Sequence, residues 1–190
     1  MKPLHILSGL ILGVSIAHGA DPVESDYYKI VSFETPKETA LEVGSMELLP
    51  DGKLALGTRR GEIWMVSGAQ SPNPTKLQYQ LFASGQHEVL GLAYSRKDGS
   101  LYATNRYEVV RIKDEDGDGR ADSFMNHCDQ WGVSGDYHEY AFGSQFDKNG
   151  DLWVALCLTG SFSSAVDFRG WAARVKPDGR FEPTCSGIRS

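Results

Sequence analysis

Hydrophobic positions in this chain come in short runs, and the runs recur. Asp51-Gly52 is followed by Lys53-Leu54-Ala55-Leu56, Asp98-Gly99 by Ser100-Leu101-Tyr102-Ala103, and Asn149-Gly150 by Asp151-Leu152-Trp153-Val154. Asp-Gly and Asn-Gly are favoured at hairpin turns because both residues tolerate positive φ. The residues behind each turn alternate or run apolar, which predicts strands rather than helices. Ahead of the turns, Glu42-Val43-Gly44, Glu88-Val89-Leu90-Gly91 and Glu139-Tyr140-Ala141-Phe142-Gly143 open the preceding strand of each copy. Behind them, Thr58-Arg59-Arg60-Gly61-Glu62-Ile63 matches Thr104-Asn105-Arg106-Tyr107-Glu108-Val109, a shared Thr-x-Arg-x-Glu leading into a β-branched residue. His87-Glu88 and His138-Glu139 each place an imidazole 12 residues before a turn glycine, and the two copies lie 51 residues apart, as do Gly99 and Gly150. Strand-rich repeats of roughly 40–50 residues mark propeller blades, each a four-stranded sheet. The expected fold is all-β, a partial β-propeller of three to four blades.

Residues 1–20 read as a signal peptide: Lys2, an apolar run over 4–17, then small residues up to Ala20. That run is short for a membrane span, and no other segment is long enough. The expectation is export, to the periplasm or as a secreted protein, with residues 21–190 as the propeller portion. A closed propeller takes roughly 4–8 blades. The copies visible here therefore read as the N-terminal portion of a larger, apparently truncated propeller, with a complete small sandwich as the competing architecture. A net charge of −6 without a basic stripe argues against nucleic acid. Cys128, Cys157 and Cys185 are odd in number and widely spaced, which allows one disulfide and a thiol without fixing the pairing. No Cys-x-x-Cys-His is present, so c-type haem has no attachment point in this segment.

In a propeller the first strand of each blade lines the central channel. Glu42, His87-Glu88 and His138-Glu139 precede such strands and are expected to converge at one rim, with Thr58, Arg60, Thr104 and Arg106 near the end of the second strand beside them. A ring of His, Glu and Arg around a funnel suits a small molecule. Repeated polar residues also tie strands together. That structural role is favoured for Glu42, Glu62 and Glu108, with Arg60 and Arg106 as partners. His87 leans the same way, and for His138 both roles stay open.

The segment 113–122, Lys-Asp-Glu-Asp-Gly-Asp-Gly-Arg-Ala-Asp, carries the strongest local motif. Oxygen ligands at alternate positions let a short turn wrap a hard cation, and a glycine permits the bend. Asp114, Asp116, Asp118, the carbonyl of Arg120 and Asp122 are the candidate calcium ligands. Met125 stands where an EF-hand has its closing glutamate, so the loop is calcium-type without being an EF-hand. The other reading is a solvated acidic hairpin. A structural calcium site on the outer side of the second blade is favoured.

Three stretches resemble the soluble quinoprotein sugar dehydrogenases, the glucose/sorbosone dehydrogenase group, in the form found in large exported planctomycete and verrucomicrobial proteins. Ser84-Gly85-Gln86-His87-Glu88-Val89-Leu90-Gly91-Leu92-Ala93-Tyr94 is similar to the family's Gly-Gln-x-Gly-Leu-Leu-Gly segment. His138, followed by Gly143, Phe146, Asp147 and the Asn149-Gly150 turn, is similar to the segment bearing the catalytic base. Gly187-Ile188-Arg189-Ser190 looks like the family's Gly-x-Arg-Asn. The resemblance covers about the family's first half and implies six blades, pyrroloquinoline quinone (PQQ) as cofactor, a sugar or related alcohol as substrate and a cytochrome c as electron acceptor. It implies His138 as base, with Glu139 or Asp136 holding its tautomer, and Gln86 and Arg189 at the quinone. His87, Glu88, Arg106 and Glu139 would line the substrate rim. The sequence departs at Ser144 or Gln145, Cys157-Leu158 and Ser190, where the family has Arg, Gly-Asp and Asn.

Two other readings accompany this one. A non-catalytic propeller could use the rim to bind glycans or partner proteins. Alternatively, His87, Glu88, His138 and Glu139 could supply mixed nitrogen and oxygen ligands to a transition ion.

Overall fold

A computed structural model describes residues 21–71, 74, 76–158 and 166–188. The proposed signal peptide, Arg189 and Ser190 lie outside the described residues. The described residues from Asp21 to Ser32 belong to one unit, in which Glu24–Asp26 make a short 3-10 turn. The second unit, from Phe33 on, contains every strand among the described residues.

Among the described residues, twelve strands form three four-stranded antiparallel sheets, each in simple meander order. The first sheet holds β1 (Val43–Leu48), β2 (Leu54–Thr58), β3 (Ile63–Ser67) and β4 (Gln78–Ala83). The second holds β5 (Gly91–Ser95), β6 (Ser100–Thr104), β7 (Val109–Lys113) and β8 (Ser123–Cys128). The third holds β9 (Ala141–Phe146), β10 (Leu152–Leu156), β11 (Trp171–Val175) and β12 (Phe181–Ser186). The leading strand of each sheet packs on the leading strand of the next, β1 on β5 and β5 on β9. The arrangement is propeller-like and partial, as the repeat predicts. No strand of a fourth sheet lies among the described residues. No helix among them is long and apolar enough to cross a membrane.

The turns differ in detail from the two-residue hairpins that Asp-Gly suggests. Gly52, Gly99 and Gly150 have φ of +84°, +72° and +83°, whereas Asp51, Asp98 and Asn149 do not take positive φ. Each loop is longer, with glycine alone in the left-handed position. The acidic side chains cap these turns: Asp51 accepts from the Lys53 amide at 3.0 Å and Asp98 from the Ser100 amide at 3.2 Å. In the third copy Asp147 accepts from the amides of Asn149 and Asp151.

Two apolar clusters hold the sheets together. One joins Ala55, Ile63 and Met65 of the first sheet to Leu92, Leu101 and Ile112 of the second. The other joins Ala93, Tyr102 and Val109 of the second to Leu152, Val154 and Val175 of the third. Leu92 and Ala93 thus serve opposite faces of β5, as strand alternation requires. No disulfide links the cysteines: Cys128 and Cys157 are buried as thiols and Cys185 is exposed.

Candidate functional site

Because β1, β5 and β9 run in the same sense, the segments that precede them share one end of the molecule. The segment before β5 bridges two sheets: the Gln86 amide donates to Gly61 O, Val89 N to Thr58 O and Leu90 N to Thr104 O. Glu88 is pinned here. Its carboxylate takes Arg59 Nη2 at 2.9 Å and Arg106 Nη1 at 3.8 Å. Two guanidiniums, one from each neighbouring sheet, therefore share one carboxylate, and Glu88 is chiefly what raises the Arg59 pKa.

Arg106 links onward to the third sheet. It donates to the carbonyls of Asp136 (2.5 Å), Tyr137 (3.2 Å) and Glu139 (3.2 Å), and its guanidinium sits 5.0 Å from the Tyr140 ring centroid. Arg60 pairs with Glu42 at 2.9 Å, as the repeat suggests. Arg106 does not pair with Glu108. It is engaged instead by Glu88 and the 136–139 carbonyls.

The histidines occupy the same end in different settings. His87 Nε2 meets Tyr107 Oη at 2.5 Å, with the rings edge to face, so the turn after β6 holds it. His138 is exposed, stacks edge-on against Tyr137, and has Nδ1 3.9 Å from Asp136 Oδ1. That distance is longer than a hydrogen bond. Glu139 is fully buried, and its carboxylate accepts from Ser134 N (2.5 Å), Ser134 Oγ (2.6 Å) and Gly135 N (3.2 Å). Its carbonyl faces Arg106 while its carboxylate fixes the 134–135 loop.

Gln86 accepts from Asn105 Nδ2 at 3.0 Å. Asn105 is fully buried and its Oδ1 has no protein donor, a place where a polar interior calls for water or a ligand group. Sequence reasoning passed over Asn105. The signal was there, since it stands where the repeat has Arg59. Arg169, which donates to Tyr140 O at 3.1 Å and Gly132 O at 2.5 Å, was also passed over, and it comes from a segment outside any repeat.

The transition-metal arrangement is not formed. Among the described residues the one cluster with metal-ligand spacing is Asp114, Asp116 and Asp122, whose ligand oxygens lie within 4.8 Å of one another. Asp118 stands apart from it and caps the Arg120 amide at 2.7 Å. The acidic loop also reaches further than expected. Ala121 N donates to Phe82 O, so the loop docks on the outer strand of the first sheet.

The two cavities described lie toward the turns that end the leading strands. The larger, about 780 Å³, is lined by Glu47, Tyr102, His127 and Gln145 among others, and the smaller, about 160 Å³, by Leu49, Phe82 and Ile112 among others. Neither is lined by His87 or His138.

These features define an all-β, propeller-like protein with a rim of arginine, histidine and acid gathered from three sheets. No family model and no curated protein matches the chain. A crystal structure from Thermus thermophilus, described as an oxidoreductase (glucose dehydrogenase), is similar with a TM-score of 0.52 and 21% identity. The match covers 74% of this chain and 46% of that one, so the chain spans about half the length of the structure it resembles. At this identity the likeness concerns the fold.

Proposed function

We propose that the chain is part of an exported propeller oxidoreductase that oxidises a sugar or related alcohol with PQQ, passing electrons to a cytochrome or soluble carrier. The observation that carries this reading is the three-sheet rim centred on Glu88, Arg59 and Arg106, at the end of the molecule where His138 is exposed. The donor set suits an anionic quinone, because two guanidiniums share a single carboxylate. Gln86, Arg106 and Arg189 would hold the quinone, which supplies the hydride acceptor when bound. His138 takes the hydroxyl proton, since imidazole is suited to that step near neutral pH. Asp136 Oδ1 lies 3.9 Å from its Nδ1, the carboxylate placed beside the ring. Arg106, fastened to the 136–139 backbone, sets where that loop lies. Dye reduction by the full chain with PQQ, calcium and an aldose tests this. Turnover lost in His138→Ala supports it, whereas no turnover, or turnover indifferent to that change, removes it. Tight sugar or partner-protein binding without turnover would favour the recognition reading instead.

The acidic loop is proposed to hold calcium through Asp114, Asp116 and Asp122, with a structural role. A hard cation wants six to eight oxygens, so the Arg120 carbonyl and water would complete the set. A calcium-dependent rise in melting temperature, absent in Asp114→Asn, is expected. An unchanged melt would leave the loop a plain hairpin.

A further inference from the structure

The larger cavity opens between the second and third sheets, at the ends of β5 and β9 away from His138. Register comparison shows what sets it apart. Ala55 pairs with Met65 across β2 and β3, and Tyr102 pairs with Arg111 at the corresponding place across β6 and β7. Phe82 sits at the irregularity between β3 and β4, and His127 sits at the matching irregularity between β7 and β8. In the first sheet the three positions are apolar, buried and packed toward the second sheet. In the second sheet the same positions, now facing the third, carry a phenol, a guanidinium and an imidazole. The apolar cleft retains about 160 Å³ and the polar one about 780 Å³, a volume within the range of ligand pockets. Filling a cleft for stability favours the first solution, because polar groups placed inside are costly unless satisfied.

The charges around the cavity are unevenly engaged. Asp98 accepts from Ser100 N and Tyr102 Oη and lies 3.3 Å from Arg111 Nε. Asp147 accepts from two backbone amides and from Trp153 Nε1, and Glu47 accepts from Tyr94 N. Arg96, Lys97 and Lys148 also line the cavity, are exposed, and form no ion pair among the described residues. The carboxylates Glu47, Asp98 and Asp147 are tied to fixed donors, whereas Arg96, Lys97, Arg111 and Lys148 outnumber them four to three in the lining, a balance that favours an anionic ligand. Tyr102 stands edge-on to both His127 (5.0 Å) and Phe146 (5.1 Å), forming an aromatic wall. Arg111 Nε is held by Ser100 Oγ at 3.1 Å, which aims the planar fork that suits carboxylate and phosphate.

We propose that this cavity binds a small anionic carbohydrate, a sugar acid or sugar phosphate. Its charged group sits among Arg111, Lys97 and Lys148, and its ring lies against Tyr102 and Phe146. The site is independent of the oxidoreductase reading. Calorimetric titration of the full chain with glucuronate, glucose 6-phosphate and glucose tests it. At least one of the two anions should bind about tenfold tighter than glucose, and Lys97→Ala/Lys148→Ala should cost about tenfold, as two exposed charge contacts predict. Which anion binds distinguishes carboxylate from phosphate. His127→Phe, which installs the side chain of the equivalent Phe82, should abolish binding with a cooperative melt retained. His138→Ala should leave binding unchanged. No binding of either anion, affinity equal to that for glucose, or indifference to the double lysine change would overturn the proposal.

Discussion

Glu139 shows how one residue can fasten its own loop and hold an arginine of the neighbouring sheet. Its carboxylate closes the 134–135 loop through three hydrogen bonds while its carbonyl receives Arg106. Removing a buried carboxylate strands its donors, so Glu139→Ala should cost about 3 kcal/mol in urea unfolding. Glu139→Gln should cost less, because an amide oxygen still accepts. Equal losses would mean that charge, not acceptance, holds the loop. Tyr102 offers a test by pH. Burial, reinforced by the nearby Asp98 charge, pushes its phenol up to about 12 from an ordinary 10. A pKa raised on folding means that the neutral form is the stabilised one. Its contribution is complete below pH 10 and is lost as pH climbs through about 12. Stability should therefore fall across that window, and the fall should be smaller in Tyr102→Phe. A phenolate absorbance titration that shows every tyrosine ionising near 10 would contradict this.

At the scale of strands, the close approach of leading strands rests on glycine. A Cβ placed on Gly91 of β5 would lie 1.8 Å from Gly143 O of β9. Gly91→Ala must push β5 and β9 apart and should destabilise the fold by about 3 kcal/mol. A melting temperature within a degree or so of the parent would show that the strands can separate without loss. The strands themselves were legible in the sequence. Turn glycines and apolar runs repeat with the sheets, and Arg60 pairs with Glu42, one of the repeated acids expected to tie strands together. What the repeat could not show is where its copies differ. Asn105 in place of Arg59 leaves a buried acceptor unpaired, and Arg106 turns to backbone carbonyls rather than to Glu108. Periodicity reports which face of a strand is buried, not which neighbour a long side chain reaches. The docking of the acidic loop on Phe82 O is likewise a contact between distant segments, invisible to local pattern.

For the sheet-bearing unit as a whole, the second sheet is the shared element. It contributes to both apolar clusters, one toward the first sheet and one toward the third. In stacked repeats, stability is the sum of each unit and its interfaces, and cooperativity depends on how strong those interfaces are. Here alternate residues of β5 serve each interface, so loosening one side disturbs the strand that supports the other. Leu92→Ala creates a cavity facing the first sheet and should cost about 3 kcal/mol. If the sheets are coupled as the packing implies, the loss appears everywhere. Fluorescence from Trp64 in the first sheet and from Trp153 and Trp171 in the third, isolated by substituting the other tryptophans, should shift together and coincide with the circular-dichroism transition. A transition that moves for Trp64 while Trp153 and Trp171 melt as before would show that the interfaces are weak and that each sheet pair unfolds on its own.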